Sequence, residues 1–566
     1  MSAPTDGLTE RARGWLRFLW DKATTPDDWS SGGEPHAWWD RVSTPPMCAF
    51  PRFDLWDTSY ALPVMAEATP AWREVYARIA RELVERHTTF WAAIDWLTLI
   101  GPDPGVDRYP PEWQIFTPAP LQGRYPLPGW TANGVEPWGL QPDPIGADGF
   151  LGHRGFFDLL LGVYRYLSGD DRWDRPFSVS GYQDRAFSWT HPRIAELVSA
   201  QMAARPQGPH CENTKIWPLC VSGAGLGLQL YDALHGTALH APYHRWVEFA
   251  RAHYMRLTHR GELDWFALYY DPIEERVATV ETISAYFALI ITPYVYPQQR
   301  EFAELLYELA VHRLAWDNPS RPVLQLVRDP RFLAAALFMA RELGDTTTEA
   351  RLRTVAEHDF EPRFFGAEQD RFAFWFGLDS PWPRGQLNAM MMLSECGPPG
   401  AWWRVFNEPN HAMHDEPTVR DVDYPALGIV RARNDVSAGS LEVETVAATP
   451  SRRGDPTRFT VDRLPDPAAV RLTIDGQDFS RWRVTGPDSI EIEADIGEHV
   501  FRLVVGRRHS APPGREAPSE ARSIGAPATS VPTPPVPIGV AREPANCSCC
   551  ASPISAGPTR SSEFNG

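Results

Sequence analysis

From about residue 7 to about residue 400, apolar residues recur at steps of three and four; beyond about residue 425 the step becomes two. The first period is that of a helix with one buried face, the second that of a half-buried strand. The spacing therefore predicts helices over 9–22, 71–99, 149–167, 193–204, 215–234, 244–257, 282–295, 299–313, 331–343 and 385–395. The run from Arg73 to Leu83 is the clearest amphipathic case. About a dozen helices in this span suit an (α/α) toroid, an inner ring of helices wrapped by an outer one, with loops at one end forming a cleft. An irregular helical bundle is the competing arrangement, and no fixed-period repeat argues for a solenoid.

Strands are predicted over 427–432, 441–446, 459–461, 470–474, 490–494 and 499–505, with Asp475-Gly476 as a turn signal. The chain thus divides into a helical body (1–425), a small antiparallel β domain of sandwich-like type (426–507) and a tail (508–566). The tail is rich in Pro, Ala, Ser and Gly and includes Val531-Pro532-Thr533-Pro534-Pro535-Val536-Pro537. Such a composition cannot bury a core and is expected to be disordered. Its thiols Cys547, Cys549 and Cys550 have no fourth ligand beside them to complete a tetrahedral metal set, so no metal is assigned.

The 54 basic and 72 acidic side chains give a net charge of −18, which argues against nucleic acid or an anionic membrane surface as a partner. No apolar run is long enough to span a membrane, the N-terminus has no continuous apolar signal core, and the cysteines form no disulfide framework. The expectation is a cytoplasmic protein with reduced thiols. The 23 tryptophans suggest a large aromatic-lined interior or cleft, suited to an apolar or carbohydrate ligand. The loop over 109–141, rich in Trp and Tyr, is expected to be ordered.

Three clusters carry chemistry. In the first, Asp54 and Tyr60 stand in Phe53-Asp54-Leu55-Trp56-Asp57-Thr58-Ser59-Tyr60; an aspartate there is often only a cap or turn residue. In the second, His153 stands between Gly152 and Gly155 at a helix start; a histidine so placed is usually structural, although its ordinary pKa suits proton transfer. In the third, Cys211 and Cys220 are nine positions apart, with Glu212 beside the first. That spacing is neither a zinc knuckle nor a C-x-x-C redox motif. Taken alone, the two thiols fit buried packing as well as acid/base work. The Gly223, Gly225, Gly227 run lacks the context of a phosphate loop and reads as close helix packing.

Taken together and in order, these clusters resemble the linalool dehydratase/isomerase family over roughly residues 40–400. The matching features are Asp54 and Tyr60 six residues apart, Gly152-His153 at a helix start, Cys211-Glu212, and Cys220 nine positions after Cys211. The resemblance implies an (α/α)6 barrel and a cofactor-free enzyme that dehydrates a tertiary allylic alcohol to an alkene, or shifts its hydroxyl. It also implies a homo-oligomer in which the Asp and Tyr are delivered across a subunit boundary. The chain departs from the family at Gly149, where the family has a methionine, between the cysteines over 213–219, and at Cys48, which has no obvious partner.

On this reading Cys211 and Cys220 form the acid/base pair at the reacting carbon. Asp54 and His153 handle the hydroxyl proton, Tyr60 orients it, and Glu212 tunes Cys211. Gly149, Trp217, Tyr269, Tyr270 and Trp375 are expected at the wall of a pocket for a small apolar alcohol or alkene, with Trp265, Phe374, Phe376 and Trp382 as further aromatic candidates. A sugar-cleaving toroid enzyme would instead need two flanking carboxylates, for which Asp264, Asp271 and Glu281 are available. A non-catalytic binding protein is the third expectation.

Overall fold

Thr9 sets the first helix: its hydroxyl accepts from the Ala12 N–H at 3.1 Å, a side-chain cap on the unpaired first turn. The computed structural model describes residues 7–40, 51–93, 143–146, 149–181, 185–211, 215–272, 275–326, 329–505 and 539–542. The expected loop over 109–141, Cys48, Glu212 and the three tail cysteines lie outside the described residues.

Among the described residues the α-helices are α1 (Glu10–Thr24), α2 (Pro51–Asp57), α3 (Ala61–Ala68), α4 (Glu74–His87), α5 (Leu151–Ser168), α6 (His191–Ala204) and α7 (Pro218–His235). After them come α8 (Tyr243–His253), α9 (Ser284–Val295), α10 (Arg300–Arg313), α11 (Pro330–Leu343), α12 (Thr346–Asp359), α13 (Gly385–Glu395) and α14 (Ala401–Asn407). Each of the ten predicted helices overlaps one of these, but the prediction over 71–99 ends early, since α4 stops at His87. The prediction over 244–257 runs past α8 into a strand. Helices α2, α3, α12 and α14 were not predicted.

Among the described residues, four hairpin or edge pairs interrupt the helices: β1 (Phe177–Ser180) with β2 (Ala186–Trp189), β3 (Met255–Leu257) with β4 (Leu263–Phe266), β5 (Tyr269–Asp271) with β6 (Arg276–Thr279), and β7 (Pro362–Phe365) with β8 (Arg371–Phe374). The chain is therefore mainly helical with small antiparallel sheets.

Helix α5 packs on α7, α7 on α9, α9 on α11, and α11 on α13; α13 meets α2 and α3, which return to α5. Helices α5 and α7 run parallel. Gly155 lies against Ala224 and Gly162 against Leu230, so both chains climb together. A β-carbon on Gly155 would stand 2.4 Å from that of Ala224, which is why glycine is needed at the crossing. The Gly223 and Gly227 positions are filled in the same way, by the Phe156 ring and the Leu159 backbone. Helices α11 and α13 likewise share a direction: Arg331 and Gln386 at their starts both act on Asp57, and Arg341 near the end of α11 donates to the Ser394 and Cys396 carbonyls at the end of α13.

The β domain begins earlier than the hydropathy alternation suggests. Strands β9 (Thr418–Arg420), β10 (Leu427–Asp435), β11 (Ser440–Ala447), β12 (Pro456–Asp462), β13 (Arg471–Ile474), β14 (Gln477–Asp478), β15 (Trp482–Val484), β16 (Ile490–Asp495) and β17 (Val500–Val504) form two antiparallel sheets. Their orders are β10-β11-β17-β13-β14 and β15-β16-β12-β9. The buried faces meet through Phe459 and Phe501, ring centres 5.2 Å apart. Backbone hydrogen bonds from Leu8 to Val430, Ala71 to Ala432 and Val419 to Ala71 stitch this unit to the helices.

Within 508–566, the described residues form one strand, β18 (Gly539–Arg542), parallel to β6. This Gly-Val-Ala-Arg stretch is free of proline, unlike the segment before it, and can pair with the open edge of β6.

Candidate active site

The starts of α5, α7, α11 and α13 carry or approach most of the chemistry-bearing residues. The loop before α7 crosses the first turn of α5: His210 accepts from the Leu151 N–H at 3.1 Å, and the Cys211 sulfur accepts from the Gly152 N–H at 3.0 Å. An N–H donor at the positive end of a helix stabilises negative charge on sulfur. The loop is held from behind by the Cys211 N–H to the Lys215 carbonyl, 2.7 Å, and by paired Ile216 and Tyr270 backbones, 2.9 Å each way. Lys215 and Asp271 form a buried ion pair of 2.8 Å beneath it. Trp217 precedes α7, its ring 5.1 Å from that of Tyr269. Trp217, Tyr269 and Tyr270 are thus brought together on the Cys211 side. Gly149, at φ 117°, makes the turn into α5.

His153, on the first turn of α5, is fully buried. Its ring stacks on Phe150 at 4.8 Å and lies 4.4 Å from the ring of His87, which stacks in turn on Phe157 at 4.3 Å. Neither ring nitrogen of either histidine has a hydrogen-bond partner among the described residues. Burial, together with the nearby Arg52 guanidinium, pushes His87 down to about 3 and His153 well below the usual imidazole range. In both cases burial favours the neutral ring over the imidazolium.

Cys220, on the first turn of α7, neighbours Tyr294 of α9. The Tyr294 hydroxyl donates to the Tyr60 oxygen at 3.4 Å, and Tyr60 is hydrogen-bonded to the Asp57 carboxyl. Burial raises Asp57 to about 7 against the opposing pull of Tyr60, Arg331 and Gln386, with Asp54 adding to the rise. Both tyrosines are held well above their ordinary range by the same burial. The chain Asp57, Tyr60, Tyr294, Cys220 lies within one polypeptide. Beside it Trp56 stacks on Phe156 at 4.8 Å, and Phe156 meets the Tyr294 ring at 5.7 Å.

Asp54 is placed differently from Asp57. Its carboxylate pairs with Lys22, accepts from the Asp40 N–H at 2.9 Å, and crowds Gly385 so closely that a β-carbon there would overlap it. Lys22 and Asp54 are both fully buried, and burial lifts Asp54 to about 6 despite the ammonium. Removing one partner of such a pair leaves an uncompensated buried charge. Lys22→Met is expected to lower unfolding free energy by about 3–5 kcal/mol in urea titrations; a loss under about 1 kcal/mol would show that the pair contributes no net support.

Other candidates lie elsewhere. Trp375 packs in the β7–β8 hairpin, 5.8 Å from Phe365 and under the Arg363 guanidinium at 3.8 Å. Trp265 lies on β4 beneath Arg256, and Trp382 pairs with Trp38 at 5.0 Å. Asp264 is ion-paired with Arg256 on the β3–β4 hairpin, and Glu281 is exposed. Of the three carboxylates considered for sugar chemistry, Asp271 alone borders the thiol loop, and it is committed to Lys215. Asp57, Tyr294, Arg331, His87 and Lys215 were not predicted.

Among the described residues, no helix is long and apolar enough to cross a membrane. A mainly helical body with two buried thiols, two buried imidazoles and a carboxyl–tyrosine chain at converging helix starts defines a candidate acid/base enzyme. Residues 133–369 match the family model described as linalool dehydratase/isomerase, and His153, Cys211 and Cys220 lie within the matched span. Solved structures with slight similarity include two GH127 enzymes. One is a GH127 β-L-arabinofuranosidase from Geobacillus stearothermophilus T6, at 10% identity over 80% of this chain and 76% of that one, TM-score 0.23. The other is a GH127 β-arabinofuranosidase, at 12% identity over 87% and 77%, TM-score 0.23.

Proposed function

We propose that the protein is a cofactor-free hydro-lyase and isomerase acting on a tertiary allylic, terpenoid-type alcohol, built on an (α/α)6 barrel. Support for the barrel comes from the succession of helix contacts that returns from α13 through α2 and α3 to α5. The observation that carries the chemistry is the joint presence, in the family-matched span, of Cys211 at the Gly152 N–H and Cys220 at the end of the Asp57–Tyr60–Tyr294 chain.

In the proposed cycle the Asp57 proton passes through Tyr60 and Tyr294 to the substrate hydroxyl. The C–O bond breaks and water leaves. The allylic cation is held against the aromatic faces of Trp56, Phe156 and Tyr294, which stabilise positive charge. The Cys211 thiolate takes a proton from the neighbouring C–H, whose electron pair forms the alkene. Cys211 passes that proton by way of Cys220 and the tyrosines back to Asp57, which restores both groups; for the isomer, water adds instead to the other allylic carbon of the cation and loses its proton along the tyrosines to Asp57. His153, neutral, orients the hydroxyl. Asp54 acts through Asp57 by raising it.

The test is incubation of the full chain with allylic tertiary alcohols of increasing length, their saturated counterparts and the matching alkenes, with products read by gas chromatography and mass spectrometry. Alkene or shifted alcohol is expected from the allylic substrates only. Equal conversion of saturated alcohols, or no conversion of any alkenol, overturns the reading.

A further inference from the structure

Far from the thiols, three helix ends meet. Asp174 ends the short turn Arg172–Asp174 that follows α5; His191 opens α6; His235 closes α7. One ligand atom from each lies within 4.8 Å of the others. His191 Nδ1 is 3.8 Å from Asp174 Oδ1, and His235 Nε2 is 3.4 Å from Asp174 Oδ2. Donor atoms of a tetrahedral zinc centre, bound at about 2.0–2.1 Å, stand roughly 3.3 Å apart. The triangle is therefore close to the size that a small divalent cation draws together.

The outer contacts point the same way. His191 Nε2 faces the carboxyl of the fully buried Asp158 at 3.2 Å, and His235 Nδ1 lies 3.0 Å from the Tyr231 carbonyl. The Tyr231 carbonyl can only accept, which sets His235 in the tautomer whose Nε2 lone pair faces Asp174, while Asp158 stands at ion-pair distance from the far nitrogen of His191. The Tyr231 ring stacks on His235 at 4.0 Å and holds its plane. Arg165 Nη1, 3.3 Å from Asp174 Oδ2, is the group that balances the carboxylate when no cation is present.

We propose that Asp174, His191 and His235 form a binding site for one zinc-like divalent cation that staples the ends of α5, α6 and α7. Asp158 and the Tyr231 carbonyl serve as its outer support. Asp174 is partly exposed, which leaves a fourth position for water and a path for entry. Cys220 and His235 are fifteen residues apart on α7, about 22 Å at 1.5 Å per residue, so the cation takes no part in the thiol chemistry.

The full chain, stripped with EDTA and dialysed, is titrated with Zn2+ and separately with Co2+. One zinc per chain retained through gel filtration, an intense tetrahedral cobalt absorption band and a thermal midpoint raised by several degrees are expected. Asp174→Asn and His235→Gln, at partly exposed positions, should each reduce retained zinc to below about a tenth and abolish the thermal shift. Asp158→Asn should weaken binding about 10- to 100-fold. His358→Gln, on an exposed histidine elsewhere, should change nothing. Zinc lost from the wild-type chain on washing, zinc retained unchanged by Asp174→Asn and His235→Gln, or binding without a thermal shift each overturn the proposal.

Discussion

Cys211→Ala and Cys220→Ala are each expected to lower turnover on an allylic alcohol by about 10²- to 10⁴-fold, the range for loss of a positioned acid or base. Both variants should stay folded, because alanine removes one buried atom and leaves the surrounding helix starts intact. The serine variants separate the two roles a buried thiol can have. Cys211→Ser keeps an acceptor for the Gly152 N–H at 3.0 Å, so packing and hydrogen bonding survive, but a hydroxyl is not a base at neutral pH. If the thiols were only core packing, the serine and alanine variants would retain turnover within about threefold of wild type, and the acid/base assignment would fail.

The second large effect concerns Asp57. Burial holds its carboxyl at about 7, so the proton it delivers is present below that pH and lost above it. Turnover should fall as pH rises through about 7. Asp57→Asn, which resembles the protonated carboxyl in shape and charge but has no acidic proton, should lower turnover by about 10²-fold or more and remove that limb. Stability moves the other way. The folded carboxyl binds its proton more tightly than the unfolded one, so its contribution is complete below about pH 4 and is lost as pH rises through about 7. At pH 8 the wild type therefore carries a cost of the order of 4 kcal/mol that the amide avoids. An inactive variant that unfolds later than wild type at pH 8 is the expected signature; a variant less stable than wild type there would mean that Asp57 is a structural anion.

Asp57 is set beside Tyr60 by the turn that ends α2, which spacing alone does not reveal. The Asp54 and Tyr60 spacing located the right segment. Asp54 lies within α2, whereas Tyr60 lies beyond its end, in a tight turn where its N–H donates to the Asp57 carbonyl at 3.2 Å, so Asp57 and not Asp54 is the carboxylate beside it. Lys22, which claims Asp54, is 32 positions away on α1 and leaves no local trace. Tyr294 sits in a helix that is buried all round, Ser-Ala-Tyr-Phe-Ala-Leu-Ile-Ile-Thr-Pro-Tyr-Val, so no amphipathic contrast marks its face. Helices α2 and α3 were hidden by prolines: Pro51 opens one and Pro63 lies in the first turn of the other, where a missing N–H costs nothing. The long amphipathic helices were legible because each has a buried stripe and a polar face. Tryptophan abundance was a poorer guide, since Trp15, Trp72, Trp246, Trp316 and Trp402 are spent on core packing. The histidines at 191 and 235 could not have been paired from spacing, because 43 intervening residues fold between them.

The hydroxyl contact between Tyr60 and Tyr294 closes within a single polypeptide. Under the proposed mechanism, one chain carries the whole relay from Asp57 to Cys220. Two inactive forms, one altered at Asp57 and the other at Cys220, should not rescue each other when coexpressed or mixed, and specific activity should hold on dilution. Recovered activity in the mixture would mean that chains exchange these parts.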